Sequence, residues 1–138
     1  MTAPRTIAAL ALAAVAAGAA GCGENPQDKV NAAEARSVVT RFAEAEGPKA
    51  CRLLTGDALV QIYGRYTQPP KKALATCVKA SAKFKGEPID ITQTEVQDSK
   101  TIKLNALSSD KKFTYRISVL KVKKGWRIDQ INQYRFKG

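Results

Sequence analysis

Phe113-Thr-Tyr-Arg-Ile-Ser-Val-Leu-Lys-Val-Lys-Lys-Gly-Trp-Arg-Ile-Asp-Gln-Ile-Asn-Gln-Tyr-Arg-Phe136 is the stretch whose reading decides the fold. Phe113, Tyr115, Ile117 and Val119 alternate with polar residues, which is the period of a strand with one face buried. Lys124-Gly125 interrupts the run and is short enough for a hairpin, so Phe113–Val122 and Trp126–Phe136 are predicted to pair antiparallel. Leu120 and Val122 then take over from the odd positions, and this change of phase predicts a bulge or a strong bend in the first of the two strands. The same character extends back to Gly86. Ile89–Val96 and Thr101–Leu107 read as two more strands, joined by Asp98-Ser99-Lys100 and followed by the turn Ser108-Ser109-Asp110-Lys111. The last three or four strands are expected to form an antiparallel meander.

Before Gly86 the period is helical. Val30, Ala33, Val38, Phe42 and Ala45 recur at helix spacing after Pro26, with Asp28 as the expected N-cap and Gly47-Pro48 as the stop. Lys49–Leu54 reads as one further turn carrying Cys51. Asp57–Tyr66 reads as a short helix capped by Asp57. Pro69-Pro70 opens a third helix, Lys71–Phe84, with Leu74, Cys77, Val78 and Ala82 on one face. Helices first and a curved antiparallel sheet afterwards predict an α+β domain with the helices on one face of the sheet.

The first 22 residues have a different purpose. Arg5 is followed by the apolar run Ile7–Ala20, about 14 residues against the roughly 20 a membrane-spanning helix needs, so the segment reads as an export signal. Ala19-Ala20-Gly21-Cys22 resembles the processing site of bacterial lipoproteins, with Ala19 where Leu is usual. The resemblance implies cleavage after residue 21, lipidation of Cys22 and a chain anchored on the extracytoplasmic face of the cell membrane. The alternative is an ordinary secretory signal that leaves Cys22 as a spare thiol. The expected organisation is therefore a signal at 1–21, a lipidated polar tether at 22–28 and a single domain at 29–138.

Export also bears on the cysteines. With Cys22 consumed by lipid, Cys51 and Cys77 are an even pair in an oxidising compartment, and a disulfide is expected; two buried free thiols are the alternative. Closing a loop of roughly 26 residues stabilises a fold by about 3 kcal/mol in the chain-entropy treatment.

The chain has 23 Lys+Arg, 12 Asp+Glu and no His, for a net charge of +11. The excess is uneven. Residues 22–99 hold 11 basic and 10 acidic side chains, whereas residues 100–138 hold 11 basic ones against only Asp110 and Asp129. Such an excess points to an anionic surface, and outside the cell nucleic acid is not the expected partner. Lys121, Lys123, Lys124 and Arg127 are the candidate basic surface, on an exposed sheet face and its hairpin tips. The bland reading of that charge is protection of strand edges.

Residues 28–138 further resemble envelope lipoproteins of high-GC Gram-positive bacteria that carry a nuclear transport factor two-like (cystatin-like, ketosteroid isomerase-like) domain. Val38-Val-Thr-Arg-Phe42, Ala50-Cys-Arg-Leu-Leu-Thr55, Cys77 and Val122-Lys-Lys-Gly-Trp-Arg-Ile-Asp129 carry the resemblance. It implies a cone-shaped sheet closed by helices, and in enzymes of that fold a pocket acid, tyrosine or histidine does proton transfer. Here no His exists. Asp90, Glu95, Asp98 and Asp129 are the acids on or beside the strands. Asp129, close in sequence to Trp126 and Tyr134, invites an isomerase-like reading, but alternation with Ile128 turns it outward toward basic side chains. Tyr115, Trp126 and Tyr134 are the candidate pocket lining, unless they simply fill the core. No metal site, phosphate loop or cofactor motif is read. Two functions follow: a non-enzymatic binding or accessory lipoprotein meeting anionic lipid, cell-wall polymer or an acidic protein through a basic sheet, or a small-molecule binder or isomerase/cyclase-like enzyme using the cone.

Overall fold

Asn25 starts the helical layer. Its side chain accepts a hydrogen bond from the Gln27 N–H (3.0 Å) and Pro26 takes the first helical position, where a missing N–H costs nothing. The computed structural model describes residues 25–65 and 68–136; the predicted signal, Cys22 and Lys137 lie outside the described residues. The elements run α1 (Pro26–Glu44), a 3₁₀ segment (Gly47–Leu53), α2 (Gly56–Tyr63), α3 (Pro70–Ala80), then β1 (Ile89–Val96), β2 (Thr101–Ser108), β3 (Phe113–Val122) and β4 (Gly125–Arg135). The four strands form one antiparallel sheet in the order β1-β2-β3-β4.

Helix α1 begins three residues before the expected domain start, capped by Asn25 instead of Asp28, which sits in its first turn. Its buried face also differs from the expected one. Asn31, Ala35, Val38 and Val39 are buried while Val30 is half exposed. These positions follow helical spacing about a stripe that a polar Asn and a small Ala conceal. The burial of Asn31 is compensated by Gln27, whose amide donates to it at 3.1 Å. Thr55, not Asp57, caps α2 by accepting from the Ala58 N–H at 3.1 Å. Helix α3 stops at Ala80, four residues short of the expected end, where the buried Ser81 hydroxyl bonds the Cys77 carbonyl. Val78 is exposed, and Ala73 joins Cys77 in the core.

The helices lie on one face of the sheet. Ile102, Leu104 and Ala106 of β2, Ile117 and Val119 of β3, and Trp126 and Ile128 of β4 meet Ala35, Val38, Val39, Leu54 and Leu59 in one core. Each fully buried large aliphatic side chain contributes roughly 1.5–3 kcal/mol. Two contacts fix the layers in place. The Trp126 indole N–H donates to Glu34 of α1 (2.9 Å), and the linker at Gly86 passes so close to the end of α1 that a Cβ there would lie 2.4 Å from the Glu44 carbonyl carbon.

A phase change does occur in the last hairpin, but on the other strand. Ser118 pairs with Gln130 and Val119 with Ile128, so Asp129 is the extra residue and the bulge belongs to β4. Strand β3 keeps its phase, with Leu120 and Val122 on the outer face. A second irregularity in β1 lies between Ile91 and Gln93.

Cys51 of the 3₁₀ segment and Cys77 of α3 sit at disulfide-bonding distance, with Cα atoms 6.0 Å apart. This joins the segment before α2 to the helix after it. The double variant Cys51→Ala/Cys77→Ala is expected to lose about 3 kcal/mol of unfolding free energy in urea titrations. A loss under about 0.5 kcal/mol would show that the link carries no stability.

Candidate functional site

In an antiparallel meander alternate turns share an end. The β1–β2 turn, with Lys100, and the β3–β4 turn, with Lys123 and Lys124, therefore lie together, and the Lys121 N–H donates to the Lys100 carbonyl at 2.8 Å. The tight β3–β4 connection is closed by Gly125 at φ +109°, a region open to glycine. Lys100, Lys121, Lys123 and Lys124 are all exposed, and Arg127 is half buried on the edge strand. This end of the sheet is a basic pole. Asp98 offsets one of its charges; the Lys100 backbone N–H, donating at 2.8 Å, holds the Asp98 carboxyl below its ordinary value, so it stays ionised.

The pole is anchored to the helical layer through the Leu54-Thr55 junction. The Thr55 N–H donates to the Ile128 carbonyl (2.8 Å), and Leu54 forms a parallel bridge to Ile128, so the edge of β4 is partly paired. The Thr55 hydroxyl donates to Asp129 (2.8 Å) while accepting the capping bond of α2. Asp129 is thus turned by the bulge onto Thr55 and not, as alternation with Ile128 implies, outward among basic side chains. It is bound by a structural hydroxyl and has no neighbour suited to proton transfer among its described hydrogen-bond partners.

Of the expected basic sheet face, only Lys103, Arg116 and Arg127 fall on the outer side by strand alternation. Lys103 stands opposite Glu95, and Arg116 stacks over the Tyr134 ring at 5.2 Å. Neutral amides occupy much of the rest, with Asn105 donating to Gln93 at 2.9 Å. The positive charge is concentrated at the turns, since each hairpin tip is where the chain is most solvated. Lys111 and Lys112 lie at the opposite pole, beside Asp110.

The three candidate pocket residues separate. Trp126 is buried in the core with Lys121 over its ring at 5.8 Å, and Tyr134 is half exposed on the outer face. Tyr115 alone lines a cavity of about 370 Å³ at the pole opposite the basic one, with Phe42, Phe84, Ile89, Ile117 and Ile131. Its walls are mostly apolar, with Lys85, Ser108 and Ser109 among them, and Glu87, an exposed residue, is the only carboxylate among the described lining residues. Such a cavity has the chemistry to hold an apolar group and lacks a buried acid to act on it. Among the described residues no three His, Cys, Asp or Glu side chains gather to hold a metal ion, and no helix is long and apolar enough to cross a membrane.

Arg52 is the basic side chain at this end that sequence reasoning missed. It is exposed on the 3₁₀ segment and lines an open groove together with Lys123, Lys124 and Arg127. No local signal marks it, because only the docking of Leu54-Thr55 on β4 brings it to the pole.

No protein-family model matches the chain, and no curated protein or solved structure is significantly similar to it.

Thr55 links the cap of α2 to the edge of the pole, so Thr55→Val should cost about 1–2 kcal/mol in chemical denaturation, and Thr55→Ser less than half of that. Equal losses for the two would show that the hydroxyl is not what matters.

Proposed function

We propose that this chain is a lipid-anchored, extracytoplasmic binding or accessory module, without enzymatic activity, whose basic pole lies against an anionic surface. One observation carries the reading: the pole and the start of α1 lie toward the same end of the molecule. The Ala43 carbonyl, near the end of α1, accepts from the Glu87 N–H (2.9 Å) just before β1, whereas Glu34, farther up the helix, meets Trp126 next to the β3–β4 turn. Eight residues lead back from Glu34 to Pro26, a further rise of about 12 Å in the same direction. Cys22 stands three residues before Asn25, so on this reading the anchor is attached at that end. A tether and a cluster of cations at one end are what a protein held against anionic headgroups requires, since each basic residue near such a surface contributes roughly 1 kcal/mol.

The reading as an envelope lipoprotein with a nuclear transport factor two-like domain remains part of this proposal. Helices followed by a four-stranded antiparallel sheet support it, as does the cavity between α1 and the sheet, which is where a cone would open. That cavity also favours a second reading, a small-molecule binder using the cone. It would be chosen if a neutral apolar ligand bound independently of salt and Tyr115→Ala abolished the binding.

Two measurements test the first reading. Mass spectrometry of the mature chain should find a diacylglyceryl group on Cys22 and none in Cys22→Ala; an unmodified Cys22 in a soluble product would end the anchoring claim. The unlipidated domain should bind phosphatidylglycerol vesicles with an affinity that falls steeply with salt. Replacing Lys121, Lys123 and Lys124 with Gln should weaken it about a hundredfold, from roughly 1 kcal/mol per basic residue. Thermal stability should barely change, because exposed charges contribute little to folding.

A further inference from the structure

The groove beside the pole has two kinds of wall. Arg52 from the 3₁₀ segment and Lys123, Lys124 and Arg127 from the last hairpin line it with four cations, and among the described residues no carboxylate pairs with Arg52, Lys123 or Lys124. Leu59 and Leu74 of the helices and, from the last position of β3, Val122 give the groove its apolar lining, and Val122 is 41% exposed despite its character. The groove is open, with a volume of about 650 Å³, within the range of sites that hold drug-sized molecules. Among the described residues no carboxylate lines the groove. Asp129 is engaged by Thr55, and Asp57 lies in the first turn of α2.

Four cations of one sign next to exposed aliphatic carbon form a surface matched to a molecule that is itself anionic at one end and apolar at the other. Arginine favours phosphate in particular, because its planar fork donates two parallel hydrogen bonds. One of the two, Arg127, is already oriented: its guanidinium donates to the Trp126 carbonyl at 2.8 Å, so less side-chain freedom is lost on binding. We infer that this groove takes a single anionic phospholipid, its phosphate on Arg52, Lys123, Lys124 and Arg127 and the first carbons of its chains on Leu59, Leu74 and Val122. This rests on the basic pole facing the membrane and adds a stoichiometric site to it. A bilayer contacted only through diffuse charge needs neither an arginine on the 3₁₀ segment nor an apolar wall beside the lysines.

The test uses the full mature chain with Cys22→Ser, titrated calorimetrically with dihexanoylphosphatidylglycerol as monomer, dihexanoylphosphatidylcholine and glycerol 3-phosphate. Saturable binding of one phosphatidylglycerol, at least tenfold tighter than either comparison compound, is expected. Arg52→Gln should weaken it tenfold or more and Val122→Ser severalfold, whereas Lys112→Gln, exposed at the opposite pole, should leave it unchanged. Equal binding of phosphatidylcholine would overturn the role of charge. Equal binding of glycerol 3-phosphate would overturn the role of the apolar wall and assign the site to free phosphate esters. Vesicle binding that is salt-sensitive without any binding of the monomeric lipid would overturn the groove and leave the basic pole standing. Monomer binding without vesicle binding would support the groove and reject the membrane-facing pole.

Discussion

Antiparallel pairing of consecutive strands leaves no freedom over which turns become neighbours. Once β1 to β4 pair in sequence order, Lys100 must lie beside Lys121, and Lys123 and Lys124 must project from the same end. The clustering of Lys100, Lys121, Lys123 and Lys124 at one end is thus a consequence of topology acting on where the lysines fall along the chain. Repulsion between them costs little while they stay solvated at the tips, and less again where an anionic surface supplies the counter-charge. The fold tolerates the cluster because its lysines are exposed at the turns and strand ends, while the side chains that hold the sheet, Ile102, Leu104, Val119 and Ile128, are buried.

The helical layer depends on a different set of bonds, and they converge on the edge of β4. Leu54 bridges to Ile128, Thr55 links the α2 cap to Asp129, and the Cys51–Cys77 pair ties the preceding turn to α3. The bulge at Asp129 makes this possible, since without the extra residue the side chain that receives the Thr55 hydroxyl would point to the outer face. The same docking gives the groove its two walls. A change at the junction is therefore expected to be felt both in stability and in the shape of the basic end.

The strands were legible because a half-buried strand writes its period directly into the sequence. Residues 89–96, 101–107 and 113–122 were bounded to within a residue, and the last strand to within one residue at either end. The helices were legible as elements but less so in orientation. Val30 and Val78 pointed to faces that proved exposed, whereas Asn31, Ala35 and Ala73, which carry weak apolar signals, are buried because they permit close approach. The bulge was read from Leu120 and Val122, whose apolar character reflects a partly covered outer face, and Asp129 gave no sign of its partner 74 residues away. The disulfide pair followed from parity and compartment. Arg52 was invisible for the reason that tertiary sites usually are: its relation to Lys123 exists only after the 3₁₀ segment docks. The aromatics divided three ways, with Trp126 in the core, Tyr134 stacked under Arg116 and Tyr115 in the cavity, since a period-two pattern specifies a face but not a depth.

In the orientation we propose, the end bearing Lys100, Lys121, Lys123 and Lys124 lies against the membrane and the cavity end away from it. Spin labels at Ser99→Cys and Ser109→Cys, exposed turn positions at the two poles, report this directly on the lipidated protein in phosphatidylglycerol-containing vesicles. Relaxation by a headgroup-borne paramagnetic agent should be strong at position 99 and weak at position 109. Equal relaxation at the two positions, or the reverse order, would contradict the account.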